Sequence, residues 1–294
     1  MEKQDFDAEK REILMSMSRE IISSRQNRTV VEVCKLNDRK ARDAGRIFRF
    51  DGVKLCEEAL RKGVELQTVL LRASSADRIR EELLERDGID LFACSARVLW
   101  LSDEVFEKIS EEKSPEGVIC VAKYIDKFQK FATIYNSADF LTMKGEGIVL
   151  VESVRDPSNV GAILRSAAAF GVDRLILSAD CADIYHPKAV RASMGTLFDQ
   201  KIDRVRDLPE VIRGLRASGR RVFAAALDPN GHVLGQLPLC RGDCVVIGNE
   251  GHGLLPDTIA ACDGCVMIPM TSRAESLNAA VAASVLMWEF TKLS

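Results

Sequence analysis

Three short segments of this 294-residue chain carry residue types suited to holding an anion or bringing a ligand close to the backbone. The first runs Arg155-Asp156-Pro157-Ser158-Asn159 and on to Arg165-Ser166. Asn159 and the amides after it are expected to open a helix, where unpaired N–H groups favour an anion. Arg165 lies just under two turns further on, among small and apolar residues. A fixed cation in such company needs a partner. Either a carboxylate within the fold or a phosphate could serve, and the flat guanidinium fork suits the latter. The second segment is Gly248-Asn249-Glu250-Gly251-His252-Gly253. Its glycines let a backbone approach a ligand and take positive φ. The spacing fits neither the dinucleotide fingerprint nor the P-loop, and Glu250 is an unusual acid for a loop that faces a ligand. The third runs from Thr271 to Asn278 and leads into an Ala-rich helix. Ser276 suits an N-cap and Asn278 the first turn, and capping alone would account for both.

Each segment follows a strand pattern. The second half of the chain has near-continuous apolar runs typical of parallel sheets covered on both faces: GIVLVES, RLILS, RVFAAAL, CVVIG and CVMIPM. Helical patterns separate them over Val160 to Phe170, Leu208 to Ser218, Pro256 to Ala261 and Leu277 to Lys292. A doubly wound α/β sheet follows, in which ligands bind beyond the carboxyl ends of the strands. The first half is also α/β. Helices are expected over Gly52 to Arg61, Ser75 to Arg86 and Ser102 to Ile109, and strands at VELQTVLLR and GVICVAKY. A further helix is expected over Phe6 to Ile22, from the spacing of Ile13, Met17 and Ile21. A stretch of weak pattern from Ile125 to Gly145 marks the domain boundary.

A composition of 47% hydrophobic and 29% charged residues excludes disordered and collagenous classes. The longest uncharged stretch near the C-terminus, Ser276 to Trp288, falls short of the roughly 20 residues a membrane-spanning helix needs. The charged start, MEKQDFDAEKREIL, lacks the apolar run of a signal peptide. Nine cysteines without an export signal read as reduced thiols of a cytoplasmic protein. Cys240 and Cys244, with Cys262 and Cys265, could be drawn as a zinc site. Their spacing is not one of the usual paired sets, and small buried thiols explain them as well, so no metal is expected. The scattered His186, His232 and His252 suggest no nucleophilic triad. The formal charge of −3 is uneven: the window from Arg19 to Arg49 carries +5, which leaves −8 on the rest. That window suits a polyanion-binding face, or simply a solvated helix.

Taken together, the segments DPSNVGAILRSAAAFGVD, VVIGNEGHGL and MIPMTSRAESLNAAVAASVLMWE resemble the three motifs of the SpoU-type (TrmH-like) RNA 2′-O-ribose methyltransferases of the SPOUT superfamily. RASMGTLF, from Arg191 to Phe198, is similar to the family's connecting segment. NRTVVEVCKLNDRKARDAGRIFRFDGVKLCEEAL and KSPEGVICVA resemble parts of its substrate-recognition domain. The resemblance covers about Asn27 to Phe290, with Ser272 a departure where many relatives have glycine. It implies an RNA-recognition domain over 27–125 and a methyltransferase domain over 146–294, while the helical extension over 1–26 lies outside the family's usual core and the weakly patterned 126–145 is read as a linker. The fold implied is an N-terminal α/β domain plus a C-terminal α/β domain with a mostly parallel sheet and a deep trefoil knot. Knots are rare exceptions to ordinary topology, and periodicity alone gives a plain Rossmann-like sheet.

The same resemblance implies S-adenosylmethionine as cofactor, transfer or ribosomal RNA as substrate, and a homodimer whose active site is completed across the interface. No membrane or metal partner is implied. Gly248, Ile268 and Leu277 would contact the cofactor largely through backbone groups, with Ala226 and Asn249 beside them. Asn159, Arg165, Glu250, Ser276 and Asn278 would line the reaction site. Arg28, Arg39, Lys40 and Arg42 of the basic window would take RNA phosphates. Two alternatives are a catalytically inactive RNA-binding relative and a nicotinamide-dependent oxidoreductase, the latter disfavoured by the missing dinucleotide fingerprint.

Overall fold

The computed structural model describes residues 20–91, 94, 96–127, 129–130, 135–240, 242–271, 273 and 276–291. Most of the helix expected over Phe6 to Ile22, and Ser272 with it, lies outside them. The end of that stretch is a strand instead. Ile21–Ile22 (β1) pairs in parallel with Trp100 and Leu101, and Ser102 N–H donates to the Ile22 carbonyl at 3.0 Å. An open sheet edge offers these two residues backbone partners, which overrides a four-residue apolar stripe.

The first half then runs α1 (Arg28–Lys35), α2 (Arg39–Gly45), β2 (Ile47–Asp51), α3 (Val53–Arg61), β3 (Leu66–Arg72), α4 (Ala76–Asp87), β4 (Arg97–Leu101), α5 (Asp103–Ile109) and β5 (Val118–Lys123). The side chains of Asn27, Asp38 and Ser102 cap α1, α2 and α5 by accepting from amides of the first turn. The sheet order is β1-β4-β3-β5-β2, with β5 antiparallel to both neighbours.

The second half comprises β6 (Gln129–Lys130), α6 (Ser137–Thr142), β7 (Ile148–Val151), α7 (Pro157–Ala169), β8 (Arg174–Ser178), α8 (Pro187–Ser193), β9 (Lys201–Val205), α9 (Leu208–Ala217), β10 (Val222–Ala225), β11 (His232–Val233), β12 (Cys244–Ile247), α10 (Pro256–Ala261), β13 (Gly264–Met267) and α11 (Ala279–Thr291). The strands form one sheet in the order β11-β13-β10-β12-β7-β8-β9-β6, and every pairing is parallel. The mostly parallel α/β sheet expected from the apolar runs is therefore present. The weakly patterned stretch 126–145 contributes to it: β6 extends the sheet edge, and a capping box between Asn136 and Asp139 starts α6. On one face of the sheet α7 and α8 approach closely at Gly161. A β-carbon there would lie 2.3 Å from the Ala189 carbonyl oxygen, so only glycine permits the crossing.

The two halves share a core. Phe48 and Phe50 alternate onto one face of β2 and pack against Tyr185 and Phe198, with ring centroids 4.5 and 5.2 Å apart. Tyr124 stacks on Tyr185 at 4.0 Å. Arg42, expected on an RNA-facing surface, is instead buried at this seam with 1% of its surface exposed. It pairs with Asp183 at 2.6 Å and donates to the carbonyls of Leu36 and Asn37. Four of the five N–H donors of its guanidinium are taken by these partners, which is how a buried arginine is tolerated. Its role is to join the halves.

Candidate active site

The carboxyl ends of β7, β10, β12 and β13 meet around the three segments picked out by their chemistry. After β7 the chain turns through Glu152 to Asp156, whose side chain caps α7 by accepting from the amides of Ser158 (2.6 Å) and Asn159 (3.2 Å). The helix thus starts three residues earlier than expected, and those amides are not free for an anion. Burial pushes the Asp156 carboxyl up, but the two amide bonds outweigh it and hold the group below its ordinary range. With its backbone engaged there, Asn159 is free to turn its side chain across the site. Its amide donates to the carboxylate of Glu250, and its oxygen accepts from Asn278 Nδ2 at 3.0 Å. One residue from each segment therefore joins a single hydrogen-bonded chain. Asn278 also accepts from the amides of Ala280 (2.9 Å) and Val281 (3.3 Å), so it caps α11, the task expected of Ser276. Ser276 is exposed at the rim of the adjacent cleft.

The glycines after β12 serve the loop itself. Asn249 and Gly253 exchange backbone bonds of 3.1 and 3.0 Å, and Gly253 takes φ +69°. A β-carbon on Gly248 would lie 2.6 Å from the Gly253 backbone, so the turn closes only over glycine there. The Asn249 side chain braces the same loop, donating to the Ser153 carbonyl at 2.8 Å and accepting from Gly251 N–H at 2.8 Å.

Between these strand ends lies a cleft of about 510 Å³. Ala226, Gly248, Asn249, Ile268 and Leu277, the five expected cofactor contacts, all line it, with Glu250 and Ser276. Ile247, Leu254, Ile259 and Val266 supply apolar walls. The volume suits a nucleoside-sized ligand. Among the described residues no Lys or Arg lines it and one carboxylate does, which fits a ligand carrying a sulfonium cation. S-adenosylmethionine meets these requirements.

Sequence reasoning missed the support beneath this cleft. Glu152 is 3% exposed and accepts from Leu255 N–H at 2.8 Å and from the Thr258 hydroxyl. It does for α10 what a side-chain cap would do, since Leu255 at the cap position has none to offer. The available signal was an acid directly after the wholly apolar β7.

Arg165 is exposed on α7 and makes no ion pair among the described residues, so a carboxylate partner within the chain is not what holds it. It stands outside the Asn159–Glu250–Asn278 chain. Of the basic window, Arg28, Arg39 and Lys40 are exposed, the first two only in surface pairs with Glu32 and Asp43 at 2.8 and 3.3 Å. Of the four cysteines considered for zinc, Cys244, Cys262 and Cys265 are buried in one apolar core and Cys240 is exposed, and among the described residues no group of three or more His, Cys, Asp or Glu is placed to hold a metal ion. Burial pushes the thiols of Cys244 and Cys262 up to about 11 and about 12.

A model of the SpoU rRNA Methylase family matches residues 146–288, and one of the MRM3-like substrate binding domain matches residues 27–120. The chain is 31% identical to a 23S rRNA (uridine(2479)-2'-O)-methyltransferase of Streptomyces viridochromogenes, over 91% of this chain and 90% of that one. It is 29% identical to the 23S rRNA (guanosine(2553)-2'-O)-methyltransferase RlmP of Bacillus subtilis, over 91% and 97%. Among solved structures, an AdoMet-bound rRNA methyltransferase from Sinorhizobium meliloti is similar with TM-score 0.74 and 27% identity, covering 92% of this chain and 96% of that one. The SpoU methyltransferase AviRb from Streptomyces viridochromogenes, in complex with AdoMet, is similar with TM-score 0.72 and 26% identity, covering 91% and 98%. The chain belongs to the SpoU (TrmH-like) family of RNA 2′-O-ribose methyltransferases.

Proposed function

We propose that this protein methylates a ribose 2′-hydroxyl of ribosomal RNA, acting as a homodimer. The observation that carries the reading is the Asn159–Glu250–Asn278 chain at the mouth of a largely apolar cleft lined by the Glu250 carboxylate. The choice of ribosomal RNA rests on relatives named for 23S rRNA that match along nine-tenths of both chains.

When bound, S-adenosylmethionine supplies a sulfonium methyl already primed to leave. What remains for the protein is alignment, which can supply roughly 7–11 kcal/mol of such a barrier. Glu250 fixes the amide plane of Asn159, and Asn159 fixes Asn278 in turn, so the three motifs hold one another in register. Ser276 presents its hydroxyl at the cleft rim. Arg165 grips the phosphate beside the target ribose and stabilises the negative charge that develops on the 2′-oxygen as its proton leaves. A guanidinium is effectively always protonated, so Arg165 does not act as base. The hydroxyl proton leaves to phosphate or water.

The dimer is supported by Val281, Val285 and Trp288, an apolar stripe on α11 that is 48%, 36% and 56% exposed. Beside it, Ser166 of α7 meets Ser284 of α11 at 2.8 Å, so Arg165 emerges next to the same face. A second copy packed there would cover the stripe and bring Arg165 to a reaction site. We place the deep trefoil knot where β12 inserts between β7 and β10, with α11 packed over β12 and α7. Among the described residues no helix is long and apolar enough to cross a membrane. All nine cysteines are unbridged, and we assign the protein to the reducing cytoplasm.

Incubating the purified chain with methyl-labelled S-adenosylmethionine and unmodified ribosomal RNA tests the proposal. The expected label is on a ribose 2′-oxygen after nuclease digestion. Cofactor binding without transfer to any RNA would favour the inactive RNA-binding alternative.

A further inference from the structure

A second pocket, of about 280 Å³, opens at the seam between the two halves. Its floor is apolar, made by Phe50 and Leu55 from the first half and Pro187 from the second. Glu112, Lys188 and Arg191 line it too, together with Asp51, Glu111 and His186. The Glu112 carboxylate is half-buried, and among the described residues its one hydrogen bond is a long one, 3.5 Å from Glu116 N–H. Burial, with the carboxylates of Asp51 and Glu116 close by, raises its affinity for a proton, against the smaller opposing effects of the Glu116 amide and the Arg191 cation. Lys188 and Arg191 are exposed and make no ion pair among the described residues, and Arg191 reaches only the Glu111 carbonyl at 3.5 Å. The lining thus holds an acceptor short of donors and two cations without a direct ion pair among the described residues, Arg191 acting on the Glu112 charge only at a distance.

Position adds to this. The rim at Asn37 continues directly into Asp38, Arg39 and Lys40 at the start of α2. On the other side Lys188 is close enough to Asp156 to act on its charge, and Asp156 caps the helix that carries Asn159. The pocket therefore lies between the exposed basic residues of the first half and the reaction site.

We propose that this seam pocket binds one unpaired guanine nucleotide of the RNA substrate, flanking the nucleotide that is methylated. Single-stranded bases are recognised by stacking and on their Watson–Crick edges. Guanine presents two adjacent donors there, N1–H and N2–H, which one carboxylate can accept together. Glu112 takes that edge, Phe50, Leu55 and Pro187 take the ring, and Lys188 and Arg191 take the phosphate. The inference rests on the RNA methyltransferase reading above.

The test has two arms. With the cofactor cleft filled by S-adenosylhomocysteine, GMP should bind the full chain about tenfold more tightly than UMP, and Glu112→Gln should abolish the preference. In methyl transfer to ribosomal RNA, Glu112→Gln and Lys188→Ala should each raise the KM for RNA about tenfold, with kcat and cofactor affinity unchanged. Equal binding of GMP and UMP, or wild-type KM in both variants while the wild type methylates RNA, overturns the subsite alone. A wild type that transfers no methyl group defeats the underlying reading, and the GMP arm then still decides the pocket.

Discussion

Replacing Arg165 with alanine is expected to slow methyl transfer to RNA at least about tenfold under single-turnover conditions. A charge-assisted hydrogen bond contributes about 1.5–3 kcal/mol, and each 1.36 kcal/mol is a factor of ten in rate. The side chain is exposed on α7 and absent from the cofactor cleft, so fold and cofactor affinity should stay at wild-type values. Arg165→Lys keeps the charge but loses the planar fork, and should fall between the two. On the proposed positioning and stabilising role of the guanidinium, the pH profile of the residual rate should keep its shape. A wild-type rate in Arg165→Ala would refute the assignment.

Arg42→Ala is expected to destabilise the protein by about 3–5 kcal/mol, measured by denaturant unfolding, because it leaves Asp183 uncompensated at the seam. The side chain of Asp183 is 10% exposed, so water can reach part of it and the effect should lie toward the lower end. Removing both partners should cost less than the sum of the single changes. A contact to RNA predicts something different: little change in stability and a salt dependence of RNA binding shallower by about one counterion. That second pattern is expected of Lys40→Ala, whose side chain is exposed. If Arg42→Ala behaved as Lys40→Ala should, the seam role would be wrong.

These two arginines show what a chain of letters reveals and what it hides. Both stand in basic or small-residue contexts, yet one is buried in a salt bridge and the other is exposed without one. Charge counts within a window do not distinguish them, because Asp183 is 141 positions from Arg42. Apolar runs located β7, β8, β10, β12 and β13 correctly. They missed β4 and β11, and also β9 and β2, whose buried faces include charges: Asp203 is paired with Arg174, and Arg49 with Asp51. A buried strand carrying its own ion pairs has no continuous apolar signature. The cleft was legible, since all five expected cofactor contacts line it. The contacts that tie Asn159 to Glu250 and Asn278 span 91 and 119 positions, and spacing along the sequence carries no sign of them. The Asp156 cap was in plain view as an Asp-Pro pair, a strong helix-start signal.

Mapping 2′-O-methyl groups in ribosomal RNA from cells lacking this protein addresses the central claim most directly. A ribose methyl should be missing there, restored by the wild-type chain and not by Arg165→Ala. Ribosomal RNA that keeps every one of its ribose methyl groups without the protein would contradict the account.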